Sequence, residues 1–149
     1  MTQERELAWR VAQTMLAREG TGPSWGLSIE EAGAGHARVR MTVRPDMLNG
    51  HGIVHGGMVF ALADTAFAYA CNSRNMASVA AQASIVFLGP AKAGETLVAE
   101  AREQASMGRS GVYTVAVRTA DGRPVAEFQG LARTLGKAVI EEEAGKAQP

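Results

Sequence analysis

Cysteine is almost missing from this chain. Cys71 is the only one in 149 residues, so no internal disulfide can form, and a reducing cytoplasm is the expected location. Charge of one sign is missing too: Lys and Arg number 15, Asp and Glu 15, with no basic cluster. That argues against a nucleic-acid surface or an anionic membrane surface as a partner. Long hydrophobic runs are absent. No stretch reaches the ~18 apolar residues of a membrane span. The first residues, Met1-Thr2-Gln3-Glu4-Arg5-Glu6, lack the apolar core of a signal peptide. There is no internal repeat, no linker and no G-x-S-x-G, so a Ser–His–Asp hydrolase is not indicated. Length and 46% apolar content instead predict one domain over residues 1–149 with a buried core.

The elements follow from periodicity. Leu7, Val11 and Met15 recur every four residues and predict a helix over about 4–19, stopped by Gly20-Thr21-Gly22-Pro23. Alternation then takes over. Leu27 and Ile29, and next Ala37, Val39, Met41 and Val43, mark two half-buried strands joined at Gly33-Ala34-Gly35. After Arg44-Pro45-Asp46 come a glycine-rich loop and a long apolar helix. Three turns separate four further strands, over about 79–88, 96–106, 112–119 and 124–135. Val79, Ala81, Ala83, Ile85 and Phe87 share one face of the first, and Asp121-Gly122 predicts a two-residue hairpin. The polar tail, about 137–149, is expected to fray. Together these give an α+β domain with an antiparallel sheet. The apolar helix needs cover on every side, which a curled sheet and a second subunit supply.

One residue breaks that helix's pattern. Asp64 stands in Gly56-Gly57-Met58-Val59-Phe60-Ala61-Leu62-Ala63-Asp64-Thr65-Ala66-Phe67-Ala68-Tyr69-Ala70-Cys71. A buried, unpaired carboxylate costs several kcal/mol, and Asp is a mediocre helix former. It is either a paired structural Asp or a base whose pKa burial raises. The helix start offers unpartnered N–H groups and a positive dipole end, and Gly56 and Gly57 let a carbonyl approach it. That combination suits hydrolysis of an activated carbonyl, with an oxyanion donor and a water-activating base. However, eight residues along one helix span about 12 Å, too far for Gly56 and Asp64 to act on one carbon. Two antiparallel copies across a two-fold axis bring them together, which predicts an obligate homodimer with two shared sites.

The stretch Met47 to Ser73 resembles the hotdog-fold acyl-CoA thioesterases, most closely the phenylacetic-acid-degradation (PaaI-type) branch. The resemblance rests on Asn49, His55-Gly56-Gly57 and Leu62 through Ser73. Ile85-Val86-Phe87-Leu88-Gly89-Pro90, Gly108 through Tyr113 and Gly130-Leu131-Ala132-Arg133 follow in order. It implies a hotdog fold, a curled antiparallel sheet wrapped around a long central helix. It also implies hydrolysis of aryl-acyl-CoA, such as phenylacetyl-CoA or hydroxyphenylacetyl-CoA, and a homotetramer built as a dimer of dimers. Coenzyme A enters as part of the substrate; no other cofactor is expected.

Other residues carry two readings each. His55 contacts the thioester end in the family, or simply caps the helix. Asn49 orients substrate or water through its amide, or serves the Asn49-Gly50 turn. Thr65 faces the pocket or back-bonds into its helix. Arg109 and Ser110 meet the phosphates of coenzyme A or are solvated turn residues; Arg133 is a weaker candidate of the same kind. His51 and His55 have the spacing of a zinc helix, but Gly52 sits between them and no metal is expected. Gly50-His51-Gly52 lacks the preceding strand and third glycine of a dinucleotide site. Two other functions stay open: a hotdog acyl-CoA dehydratase or isomerase, and a non-catalytic acyl-CoA or aryl-ligand binding protein.

Overall fold

The four-residue apolar spacing near the N-terminus produces helix α1, Gln3–Arg18. In this computed structural model, which describes residues 2–142, Thr2 Oγ1 accepts the Arg5 N–H at 3.2 Å and caps α1. Ala8, Val11 and Ala12 form its buried face. The Gly-Pro stop does not release the chain at once: Thr21–Ser24 winds a further short turn, α2. Glu19, at the α1 C-cap, accepts the Tyr69 hydroxyl at 2.9 Å through Oε1, while Oε2 is buried without a partner. Burial pushes the Glu19 carboxyl up from its ordinary value, against the pull of the Tyr69 hydrogen bond.

The strands are β1 (Ser28–Gly33), β2 (His36–Thr42), β3 (Ser78–Phe87), β4 (Thr96–Met107), β5 (Ser110–Thr119) and β6 (Pro124–Thr134). They form one antiparallel sheet in the order β1-β2-β4-β5-β6-β3. A 3-10 turn, Pro45–Met47, and the glycine-rich loop lead into α3, Gly56–Cys71. The sheet curls around α3, which contacts strands from β1 across to β3. The fold is thus the α+β hotdog arrangement.

Val115 and Val117 of β5 and Phe128 of β6 point inward onto Leu62, Ala63, Ala66 and Phe67 of α3. The Phe67 ring meets Tyr113 and Phe128 at centroid distances of 5.6 and 5.7 Å. Gly130 makes this possible: a Cβ there would sit 2.8 Å from the Phe67 ring. The strand therefore carries a hole where the helix carries a bulky aromatic knob.

Three local expectations are corrected. First, β3 does not keep one face from Val79 to Phe87. A bulge between Ala80 and Gln82 shifts the register, so Val79 pairs with Arg133 and Ile85 with Phe128. Those partners are an odd number of residues apart, so Val79 and Ile85 lie on opposite faces. Second, the β5–β6 turn has three residues, not two. Thr119 N–H bonds Arg123 O at 2.9 Å and Gly122 N–H bonds Thr119 O at 2.8 Å, with Gly122 at φ +94° in the bulge position. Third, Lys137–Ile140 do not fray. Asn75, at φ +64°, accepts the N–H groups of Val139 and Ile140 at 3.0 and 2.8 Å and donates to Ile140 O. The Lys137 carbonyl also accepts the Ala77 N–H. The rest of the expected tail, 143–149, lies outside the described residues.

The sheet ends at β3 with its outer edge unpaired among the described residues. Met76, Val79, Val86, Phe87 and Leu88 are all about half exposed along or beside it. No helix among the described residues is long and apolar enough to cross a membrane.

Candidate active site

Asn49 organises the loop before α3. Asn49 Oδ1 accepts the N–H groups of His51 and Ile53 at 2.9 and 3.3 Å. Its backbone N–H bonds Ile53 O at 2.8 Å. The turn role proposed for this residue is present, and it uses only the carbonyl end of the side chain. The His55 N–H bonds Met47 O, fixing the entry to the helix.

His55 is the N-cap of α3. Its Nδ1 accepts the Gly57 N–H at 2.8 Å. The N–H groups of Met58 and Val59 both turn back to the His55 carbonyl, at 2.9 and 3.2 Å. The Gly56 N–H has no acceptor among the described residues. Of the two glycines, Gly56 is the one whose donor is ready for an incoming oxygen. Gly57 offers its own only if His55 moves away.

Asp64 sits two turns further along, half-buried. It forms no hydrogen bond and no ion pair among the described residues, so its own chain does not supply the partner that a structural Asp would have. Burial alone pushes its carboxyl up from the ordinary value. It belongs to a stripe with Ala61, Ala68 and Cys71 that the chain covers only partly, whereas Leu62, Ala63, Ala66, Phe67 and Ala70 are fully covered. Cys71, on the same stripe, has its thiol pushed up to about 12 by burial and by the Asp64 charge, which makes it a poor nucleophile. Thr65 Oγ1 donates to Ala61 O at 2.7 Å, the back-bonded arrangement.

A cavity lies toward each end of α3. The one at the C-terminal end, of about 360 Å³, is polar and lined by Arg74, Glu103, Arg109, Ser110 and Tyr113 among others. Glu103 accepts both the Tyr113 hydroxyl and Arg74, each at 2.8 Å. Burial works against its charge, but these bonds outweigh it and hold the carboxyl below its ordinary value. Arg133 sits across the β5–β6 ladder from Ser110 but does not line this cavity. The second cavity, of about 250 Å³, adjoins the start of α3 and is lined by Asn49, Gly56, Phe87 and aliphatic side chains. The structure thus puts Asn49 and Gly56 at one end of the helix and Arg109 and Ser110 near the other, with Asp64 between. Reading the sequence alone missed Arg74, Glu103 and Phe87. Nothing in local spacing ties Arg74 and Glu103, 29 residues apart, to one cavity. Among the described residues no three His, Cys, Asp or Glu side chains are grouped as a metal site.

Comparison with known proteins supports the same assignment. Residues 51–126 match the thioesterase superfamily. The chain is 41% identical over 135 residues to acyl-coenzyme A thioesterase PaaI of Escherichia coli (strain K12), covering 91% of this chain and 96% of that protein. The structure of the E. coli PaaI protein from the phenylacetic acid degradation operon superposes with a TM-score of 0.89 at 40% identity, covering 91% of this chain and 99% of that one. A Streptococcus mutans protein solved with acetyl CoA bound matches with a TM-score of 0.72 at 28% identity, over 75% of this chain and 90% of its own. By sequence, fold and the order of its motifs, this chain belongs to the thioesterase superfamily, among the hotdog-fold acyl-CoA thioesterases of the PaaI type.

Proposed function

We propose that the protein hydrolyses aryl-acyl-CoA thioesters, of the phenylacetyl-CoA or hydroxyphenylacetyl-CoA kind, at two sites shared across a homodimer. The observation that carries this is Asp64: a half-buried carboxylate without a partner, on the one stripe of α3 that its own chain leaves open. β3, whose outer edge is unpaired among the described residues, also contacts α3. Pairing two β3 edges about a two-fold axis would cover both and lay two α3 helices antiparallel. Gly56 of one subunit then stands beside Asp64 of the partner subunit, which about 12 Å of helix forbids within one chain.

The chemistry follows from that juxtaposition. The thioester carbonyl oxygen accepts the Gly56 N–H at the positive end of α3, where negative charge is stabilised. Asp64 of the partner subunit takes a proton from water. The hydroxide adds to the carbonyl carbon, and the tetrahedral intermediate collapses to carboxylic acid and the thiolate of coenzyme A, which is then protonated. Direct attack by Asp64, giving a mixed anhydride that water cleaves, uses the same geometry. The polar cavity with Arg109, Ser110 and Arg74 suits the coenzyme A end, and the S. mutans relative solved with acetyl CoA favours a coenzyme A thioester as the substrate. Thr65 and Arg133 keep at most a peripheral part. No cofactor is required, and a cytoplasmic dimer of dimers is the expected form.

Thiol release from phenylacetyl-CoA tests the reading. Wild type should turn over and Asp64→Asn should bind but not. Tight binding without turnover by wild type would instead mark a binding protein, and hydration of an enoyl-CoA a dehydratase.

A further inference from the structure

We infer that Phe87 and the apolar cavity beside Gly56 form the acyl subsite, with the Phe87 ring as the wall that sets which acyl group is accepted. This rests on the thioesterase reading and goes further by naming the residue that selects the substrate.

Phe87 is the last residue of β3 and pairs with Ala126, which is buried on the α3 side of the sheet. Its ring therefore points toward the helix, yet it is 54% exposed. The reason lies in what it meets. One edge of the ring lies on Gly56, where an added Cβ would be 3.1 Å from Cζ and 3.3 Å from Cε1. The rest faces the cavity of about 250 Å³. A large apolar ring left half-covered on an inward face lacks the burial that would stabilise it, and a bound apolar group supplies it.

The lining defines that group. Ile53, Val54, Val59, Phe87 and Val125 are apolar, Asn49 is the only polar side chain, and no ionisable group is present. The adenosine phosphates of coenzyme A have no partner here, whereas the cavity at the other end of α3 offers Arg74 and Arg109. The substrate's two ends are thus sorted by polarity. Size narrows the choice further. An apolar cavity of about 150 Å³ suffices for benzene, so about 250 Å³ admits a phenyl ring with its linking methylene. Because the ring also rests on Gly56, a group packed against Phe87 has its carbonyl beside the free Gly56 N–H.

The test is a panel of acetyl-, phenylacetyl- and decanoyl-CoA assayed with wild type, Phe87→Ala and Ile53→Ala, with the oligomeric state followed by light scattering. Phe87→Ala should lower kcat/KM for phenylacetyl-CoA about 10- to 100-fold, chiefly through KM, and lower it several-fold less for acetyl-CoA, whose methyl group reaches little of the ring. Ile53→Ala opens the same cavity from the loop, away from the β3 edge, and should raise the decanoyl-to-phenylacetyl ratio. If Phe87→Ala misfolds or dissociates, Ile53→Ala decides the matter. An equal loss on all three substrates in the deciding variant, or an unchanged ratio, overturns the assignment. Phenylacetate binding by calorimetry reads the cavity without turnover: weaker binding to the variants upholds the subsite even if wild type hydrolyses nothing, and unchanged binding overturns it. Absence of wild-type turnover would sink the thioesterase reading by itself.

Discussion

His55 Nδ1 accepts the Gly57 N–H at 2.8 Å. A helix start rich in unpartnered donors is thereby reduced to one ready donor, the Gly56 N–H. The cap and the proposed oxyanion site belong to the same turn, and substitutions there have to be read with both in mind.

Asp64→Asn separates chemistry from packing. It keeps the shape and removes the proposed base, so kcat should fall about 10²–10⁴-fold with KM changed little. Its effect on stability runs the other way. Burial raises the Asp64 pKa, so the ionised form destabilises the fold as pH rises through that value. Melting curves at neutral pH should show Asp64→Asn as the more heat-resistant protein, with the gap closing below the carboxylate range. A lower melting temperature at neutral pH would contradict an unpaired carboxylate.

The same direction of shift fixes the acidic limb of activity. The base works only when ionised, so kcat should decline as pH falls through a pKa above the ordinary Asp value of 3.8. A kcat profile that remains flat well below that value would rule Asp64 out as the base.

The proposed sharing of sites makes a stoichiometric prediction. Gly56→Val blocks carbonyl approach and Asp64→Asn removes the base, and each homodimer should be inactive. Refolding the two variants together in equal amounts gives half heterodimers with one intact site of two, hence about a quarter of wild-type activity. No recovery on mixing would mean that each chain holds its own site. Val79→Lys and Val86→Lys, both exposed in the single chain, should yield folded monomers without activity.

Tyr69→Phe should destabilise the N-terminal helix. It removes the donor to Glu19 Oε1 and leaves a carboxyl with neither oxygen satisfied by a side chain. A loss of about 1–3 kcal/mol is expected by denaturant titration. Glu19 has a raised pKa, so its protonated form is the better tolerated one, and the loss should be greater at neutral than at acidic pH.

Gly130→Ala should be destabilising although it lies on a strand, where Ala is normally the better residue. The new Cβ meets the Phe67 ring at 2.8 Å, an overpacking that costs about 1–3 kcal/mol. Pairing it with Phe67→Leu should recover part of the loss; no recovery would mean the contact is not the cause.

Much of this protein was legible in its sequence because the signals are local. Alternation gave the strands, a 3.6-residue period gave α1, and the apolar run with its glycine start gave α3. Asp64 stood out for the same reason: a charge on an apolar helix contradicts its immediate neighbours. The proposal of a second chain likewise rests on a local quantity, the rise of a helix. The tertiary structure decided what depends on contacts between distant segments. The bulge in β3 turned Val79 away from Ile85, because register is set by the partner strand β6 and not by β3 alone. Asn75 anchored a tail whose polar composition signals only solvation. The choice between Gly56 and Gly57 required the position of the His55 ring, since two adjacent glycines are equivalent until a side chain occupies one of their donors. Phe87 reads in the sequence as one more apolar strand residue. Only folding carries it 31 residues back along the chain to rest on Gly56, because packing, unlike periodicity, joins groups without regard to their separation in sequence.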